Sequence, residues 1–331
     1  MHNYTAIIPV AGAGTRLRPH TYTYPKVLLT VGDKPILGHI LDTLKKNKFK
    51  KICLIIGYLG EKVKEYVSKN YKCFDVTYVV QDEQRGLGHA IYLAKDSIFG
   101  PIFIILGDTI IEANIPEFLK MDFDKIAVKE VSDPRRFGIV KTEKGFITYM
   151  VEKPEKPVSN LAIVGIYSFK NSSVLFNNLD KLVKAEKTTR GEIQLTDAMA
   201  SMISLGHKIK PISIEGWFDC GKPETLLETN RHILLKKKFK IHSIHKDCFI
   251  KLPSYISQAA KIKNSIIGPY VSIGDNCLIE NSIITDSIIN EGAIIKSANL
   301  DKSLIGPNAY VCGRIDSVNI GENSEIKLSD I

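Results

Sequence analysis

Residues 4–35 read YTAIIPVAGAGTRLRPHTYTYPKVLLTVGDKP, and this stretch decides the fold. Ala6 to Val10 is an apolar run of the length of one buried strand. Gly12 and Gly14 follow directly. Glycine lets the backbone turn sharply and bring its N–H groups against phosphate oxygens, in a concavity that a side chain would obstruct. Arg16 adds a planar fork of donors for bidentate phosphate contact, and Lys26 adds a compact positive charge. A strand, a glycine loop and these two cations together suit a nucleoside triphosphate. No Gly-Lys-Ser/Thr follows the glycines, so this is not a Walker A loop, and Leu17 stands where a dinucleotide fingerprint would place its third glycine.

Outward from this loop, apolar strands alternate with helical patterns. The periodicity predicts helices over Ile36 to Leu44, Glu61 to Val67 and Leu87 to Ala94, and strands over Lys51 to Ile56, Val76 to Val80 and Ile102 to Leu106. Such alternation implies a mostly parallel sheet with helices on its faces, in which ligands collect at the carboxyl ends of the strands. The glycine loop and Asp108 both fall there. Beyond Ala127 the pattern turns to short strands, at Gly138 to Lys141, Phe146 to Val151 and Ile163 to Phe169, with one helical stretch near Leu195 to Leu205. This reads as a partly antiparallel, substrate-side region. A helix from Pro223 to about Lys238 ends in a lysine run that serves as a linker.

From about Ile262 an isoleucine recurs at 267, 273 and 279, in Ile-Gly-Pro-Tyr-Val-Ser, Ile-Gly-Asp-Asn-Cys-Leu and Ile-Glu-Asn-Ser-Ile-Ile. A six-residue period of this kind marks a hexapeptide β-helix, whose aliphatic residues point inward and whose turns bury one another. The repeat loosens between Thr285 and Lys302 and resumes at Ile305-Gly306-Pro307. The expected division is therefore 1–235 and 246–331.

The 331 residues carry a net charge of +9, mostly as lysine dispersed along the chain, with runs at Lys45 to Lys51 and Lys236 to Lys240. Aromatic residues are not interleaved there as a nucleic-acid stacking surface would need, so these are solvated faces. Apolar residues make up 44% of the chain, enough for a large core, and no stretch has the length and purity of a membrane span. With no leader pattern at the start, a cytoplasmic location is the default expectation. Cys53, Cys73, Cys220, Cys248, Cys277 and Cys312 are scattered without metal-ligand spacing and read as buried thiols.

Gly12-Ala13-Gly14-Thr15-Arg16-Leu17-Arg18-Pro19 followed by Pro25-Lys26-Val27-Leu28-Leu29 resembles the signature of the sugar-1-phosphate nucleotidylyltransferases, the pyrophosphorylases that make nucleotide sugars. The resemblance runs through the whole first domain. It implies a Rossmann-like α/β domain with a mixed sheet, followed by a left-handed β-helix. It also implies that Ala11, Gly12, Gly14 and Thr15 bind the nucleotide, that Arg16, Lys26 and Asp108 are catalytic, and that Gln81 and the backbone near Gly86 read a pyrimidine base. By the same resemblance Asp108 pairs with Asp219, in Trp217-Phe218-Asp219-Cys220-Gly221, to hold Mg²⁺, a cation that prefers one or two carboxylates plus phosphate oxygens and water. Phe137-Gly138-Ile139-Val140, Glu152-Lys153-Pro154, Gly165 and Trp217 match sugar-phosphate motifs. There Gly138 admits the hexose, Glu152 accepts from hydroxyls and Lys153 neutralises the phosphate. Arg190-Gly191-Glu192 before Leu195-Thr196-Asp197 follows the same order. His89 reads as a core or capping residue and Cys220 as a spectator, since nothing supplies that thiol with a base.

The expected reaction joins a nucleoside triphosphate to a sugar 1-phosphate and releases pyrophosphate, with glucose 1-phosphate and dTTP or UTP preferred. Mannose-1-phosphate guanylyltransferases share the β-helix and the Pro-Lys motif, and a non-catalytic subunit of the same fold is a further alternative. Acyl transfer on the β-helix would want a histidine base, and none follows His245. The flat aliphatic faces of a β-helix need cover, so a homo-oligomer assembled through it is expected.

Overall fold

The structure is a computed structural model that describes residues 2–239, 247–313 and 318–327. It divides into two compact units that interleave along the chain: Met1–Gly12 with Ile40–Trp217, and Ala13–His39 with Phe218–Ile331.

The first unit is built on a nine-stranded mixed sheet. Its strands are β1 (Thr5–Pro9), β2 (Lys51–Ile56), β3 (Asp75–Val80), β4 (Ile102–Ile105), β5 (Asp124–Glu130), β6 (Gly138–Glu143), β7 (Phe146–Glu152), β8 (Leu161–Phe169) and β9 (Ile209–Ser213). The spatial order is β7-β6-β8-β4-β1-β2-β3, and β5 pairs with both β8 and β9. β1 lies parallel to β2 and β4, and β2 to β3. β1 and β4 are apolar and buried nearly throughout, as strands covered on both faces must be. Helices Gly60–Asn70 and Leu87–Tyr92 make the crossovers after β2 and β3. The expected elements of this half are present, with ends shifted by at most three residues.

The sequence reading passes over strands β5 and β9, the short helix Ile115–Phe118 and the long helix Ser172–Lys184. Asn171 caps the long helix by accepting from the Ser173 N–H at 3.0 Å, and Leu175, Phe176, Leu179 and Leu182 are buried on one side. The polar runs Asn171 to Ser173 and Asn177-Asn178 mask its period, yet the first of them is the cap. This helix and Leu195–Ser204 contribute Leu179, Met199 and Met202 to a core shared with Ile7, Ile104 and Phe169. At Gly165 the register of β8 against β5 shifts. The residue has φ +87°, a Cβ there would lie 2.8 Å from Leu106 Cδ1, and its carbonyl accepts from the Leu106 N–H at 3.0 Å. Glycine is required on both conformational and steric grounds.

The second unit contains the loop 13–39, helix Pro223–Lys237 and a three-sided left-handed β-helix. The three ladders of the β-helix are parallel: one runs from Phe249–Ile250 to Asn299–Asp301, a second from Tyr255–Ile256 to Asn319–Ile320, and a third from Lys261–Lys263 to Glu325–Lys327. Ile267, Ile273, Ile279, Ile284, Ile295, Leu300, Ile305 and Val311 point inward with no exposure. The first ladder strand is Phe249–Ile250, within the expected 246–331 and ahead of Ile262, where the repeat becomes visible in the sequence. One expectation is corrected: the coils do not loosen between Thr285 and Lys302, where Ile289, Ile295 and Leu300 continue the core. The interval between inward residues is five or six, and a strict six-residue period loses step at the shorter corners. Those corners turn through left-handed residues, Asn264, Asn281 and Ser297 among them, for which asparagine is well suited.

Only Cys53, Cys220 and Cys277 are buried; Cys73 is exposed and Cys248 and Cys312 are half-buried, which corrects the expectation of six buried thiols. Part of the expected linker, residues 240–246, lies outside the described residues. Among the described residues no helix is long and apolar enough to cross a membrane.

Candidate active site

β1 delivers the chain to Ala11, which is buried. Its carbonyl accepts from Gln84 Nε2 at 3.3 Å, and a Cβ on Gly57, the residue after β2, would lie 2.9 Å from the same oxygen. Gly12 faces open space, with nothing within 4 Å of where its Cβ would be. That leaves the backbone accessible to a ligand.

In the second unit Gly14 is left-handed, with φ +62°, and leads into the turn Thr15–Leu17. A Cβ on Gly14 would meet Lys26 Cβ at 2.9 Å and Thr21 Cγ2 at 3.0 Å, and the Thr21 hydroxyl donates to the Gly14 carbonyl at 2.8 Å. Leu17 and Lys26 are buried, whereas Thr15 and Arg16 are exposed. The loop is thus anchored through an apolar residue and a lysine stem, and it offers its guanidinium to solvent. A Cβ on Gly221 would lie 2.8 Å from Asp219 Oδ1 and 2.9 Å from an Arg16 terminal nitrogen. Asp219 and Arg16 therefore border one small space that only glycine leaves open. Cys220, between Asp219 and Gly221 in the chain, is buried, its thiol against the Phe218 carbonyl and the Thr229 hydroxyl.

Asp108 follows β4, and the Thr109 hydroxyl lies 3.2 Å from its Oδ1. Among the described residues no three His, Cys, Asp or Glu side chains converge. The Asp219 carboxylate borders the space that Gly221 leaves open, and a carboxylate completed by phosphate oxygens and water is a donor set that Mg²⁺ accepts.

On the expected base side, Gln81 is buried after β3. Its amide nitrogen donates to the Gly86 carbonyl at 3.2 Å and lies 3.4 Å from His89 Nδ1. Burial, aided by Arg85, pushes the His89 imidazole below its ordinary pKa, against the opposing pull of Glu83. His89 is the packing residue the sequence implied. Gly86 has φ +103°, and a Cβ on it would lie 2.7 Å from the Ile193 carbonyl.

On the expected sugar side, Gly138, Glu152 and Lys153 come together. Thr196 Oγ1 donates to Glu152 Oε2 at 2.7 Å, and Lys153 Nζ pairs with Glu152 Oε1 at 3.2 Å. A Cβ on Gly138 would lie 2.8 Å from Glu152 Oε2. Trp217 packs edge-on against Phe137, with ring centres 4.8 Å apart. Gly165 is not among them; its near neighbour is Leu106, two residues before Asp108.

The segment 190–196 ties the two sides together. Arg190 donates to the Lys153 carbonyl at 2.8 Å, Ile193 N to the Arg85 carbonyl at 2.8 Å, and Gly88 N to the Ile193 carbonyl at 2.8 Å. The role of Thr196 as a hydrogen-bond donor, and those of Thr21, Gln84 and Gly57, escape sequence reasoning. A glycine closing β2 as Gly12 follows β1 is the one signal that could have found Gly57.

Residues 5–236 match the family model described as nucleotidyl transferase. Over 96% of its length the chain is 33% identical to the low-salt glycan biosynthesis nucleotidyltransferase Agl11 of Haloferax volcanii, covering 98% of that protein. It is 30% identical to a glucose-1-phosphate thymidylyltransferase of Streptomyces antibioticus, across 98% of this chain and 99% of that one. Among solved structures, a putative glucose-1-phosphate thymidylyltransferase from Bacillus anthracis superposes with a TM-score of 0.61 at 29% identity, over 72% of this chain and 98% of the other.

Proposed function

The chain belongs to the sugar-1-phosphate nucleotidyltransferase family, and from that premise we propose that it joins dTTP or UTP to glucose 1-phosphate, giving the nucleotide sugar and pyrophosphate. The observation that carries the sugar half is the Glu152 carboxylate, held by Thr196 and Lys153 so close to Gly138 that only glycine leaves it room. It is a fixed acceptor for hydroxyls beside a cation for phosphate. Gln81, pinned at Gly86, supports the reading of a pyrimidine edge. The thymidylyltransferase relative supports dTTP, while Gly86-Leu87-Gly88-His89-Ala90 is similar to uridylyltransferases.

The sugar phosphate oxygen is already an anion, so it attacks the α-phosphorus without a general base as pyrophosphate leaves in line. Catalysis comes from positioning and charge stabilisation. Arg16 serves the triphosphate from the open side of the loop, Lys26 from its buried side, and Lys153 the sugar phosphate. A magnesium ion held by Asp108 and Asp219 would neutralise charge on the phosphates of both substrates. Catalysis is assigned to residues 1–235 and assembly to the β-helix of 246–331. Phe249, Ile266 and Ile283, adjacent in one ladder and exposed, favour self-association through that face. A cytoplasmic location accords with the substrates.

The test is a screen of four nucleoside triphosphates against several sugar 1-phosphates, read by pyrophosphate release. Turnover with glucose 1-phosphate and dTTP or UTP supports the proposal. Preference for GTP with mannose 1-phosphate, or no turnover with any pair, refutes it.

A further inference from the structure

We propose that Asn319, on the last described coil of the β-helix, is a positioning residue for the glycine loop and acts through His20. The inference rests on the reading of that loop as the triphosphate site.

His20 is 3% exposed and opens the turn His20–Tyr22, directly after Pro19. Its Nε2 donates to Asn319 Oδ1, while Nδ1 is buried without a hydrogen-bond partner. Asn319 is therefore the partner that fixes this imidazole. The next residue, Thr21, donates to the Gly14 carbonyl at 2.8 Å, and its methyl lies 3.0 Å from where a Cβ on Gly14 would be. One short chain of contacts thus leads from the coil to the glycine whose left-handed backbone aims the loop.

Asn319 is itself held. It pairs with Leu304 in the ladder, and the Gly306 N–H donates to the Ile320 carbonyl at 2.7 Å. Gly306 and Gly321 stack so closely that a Cβ on Gly306 would lie 2.4 Å from the Gly321 carbonyl carbon, and Pro19 rests over Gly321 at ordinary contact distance. The other end of the same segment is clamped as well. Asn230, fully buried, accepts from the Gly32 N–H and the Ser272 hydroxyl, each at 2.7 Å, and donates to the Tyr270 carbonyl at 3.1 Å. Thr21 and Lys26 lie between these clamps, and Arg16 lies just before the first of them. A β-helix serving assembly alone would have no need to hold this segment at both ends by buried hydrogen bonds.

The experiment uses the full-length protein and its variants Asn319→Ala, His20→Ala, their double variant and His20→Gln, whose amide can still donate to Asn319. Steady-state kinetics are measured with each substrate varied in turn. Asn319→Ala and His20→Ala are each expected to lower kcat/KM for nucleotide about tenfold, the scale of a lost buried hydrogen bond, with KM for sugar phosphate unchanged within about twofold. The double variant should be no worse than either single one, and His20→Gln should recover most of the loss. Nucleotide kinetics unaltered in Asn319→Ala, or equal damage to both substrates, overturns the proposal. If His20→Ala does not fold, Asn319→Ala and His20→Gln decide alone. Arg16→Ala tests the underlying reading separately, because normal nucleotide kinetics in that variant would show that the loop does not serve the triphosphate, whatever Asn319 does.

Discussion

Gly138→Ala puts the sugar side to the sharpest test. The added methyl would sit 2.8 Å from Glu152 Oε2, 3.1 Å from Thr196 Oγ1 and 3.2 Å from Ile163 Cδ1. Two of the three are the partners of one 2.7 Å hydrogen bond, and Lys153 holds the other carboxylate oxygen at 3.2 Å. The carboxylate must swing away, breaking the bond from Thr196. Hydrogen bonds to charged groups are worth about 1.5–3 kcal/mol, and about 1.4 kcal/mol is a factor of ten, so kcat/KM for sugar phosphate should fall roughly 10- to 100-fold. Thr196→Val removes the same bond without the methyl and should fall toward the lower figure. The assay is pyrophosphate release with sugar phosphate varied at saturating nucleotide, then the reverse, with the melting temperature as a check on folding. A sugar-phosphate KM within twofold of wild type, alongside a raised nucleotide KM, would refute the placement of the sugar at Glu152.

Asp108→Asn and Asp219→Asn should each lower turnover by about 100-fold or more while the protein stays folded, and EDTA should abolish wild-type activity; full turnover in EDTA would contradict the carboxylate roles. Lys153→Ala should raise KM for sugar phosphate more than that for nucleotide, whereas Arg16→Ala should chiefly damage turnover, and equal small effects would tell against both assignments. Burial lowers the pKa of His39 to about 4, its hydrogen bond to the Val31 carbonyl opposing the shift only in part. The unfolded chain thus binds that proton more readily than the folded one. The corresponding stability is present above about pH 6.5 and is lost as pH falls toward 4, by on the order of 2–3 kcal/mol. Urea midpoints for wild type and His39→Gln at pH 7 and pH 4.5 check this; an undiminished loss in the variant would assign acid sensitivity elsewhere. Asn171→Ala should cost about 1 kcal/mol through loss of the helix cap, read as a lower urea midpoint with unchanged kinetics.

What the sequence revealed followed from strong local signals. β1, β2 and β4 are runs of aliphatics bounded by glycine or charge, and the loop after β1 needs backbone freedom that its own letters declare. The helix Ser172–Lys184 stayed hidden because asparagine and serine compete with the backbone for hydrogen bonds, so they blur a periodic pattern at the place where they cap it. β5 was obscured by Lys125, whose aliphatic stem is wholly buried while its ammonium bonds the Lys120 carbonyl and Asp122. Gly138 and Glu152 could be named from motif order, but their convergence with Thr196 could not. That contact joins two strands to a helix far along the chain, and spacing carries no information about it. The β-helix was legible in its chemistry and not in its register, because corner lengths vary between coils.

The interleaving of the two units bears on the order in which the molecule comes into being. Translation delivers the glycine loop early, yet the partners of residues 13–39 within their compact unit lie beyond residue 217, out to Asn319. A nascent chain can complete the sheet of the first unit as its strands emerge. The loop's hydrogen bonds to Asn230 and then to Asn319 wait for the helix Pro223–Lys237 and the coils to leave the ribosome. A chain stalled before Asn319 therefore holds the candidate site residues from Ala11 to Asp219 but lacks the partner of His20, so on the positioning role proposed for Asn319 competence would arrive with the closing turns of the β-helix rather than with the residues of the site.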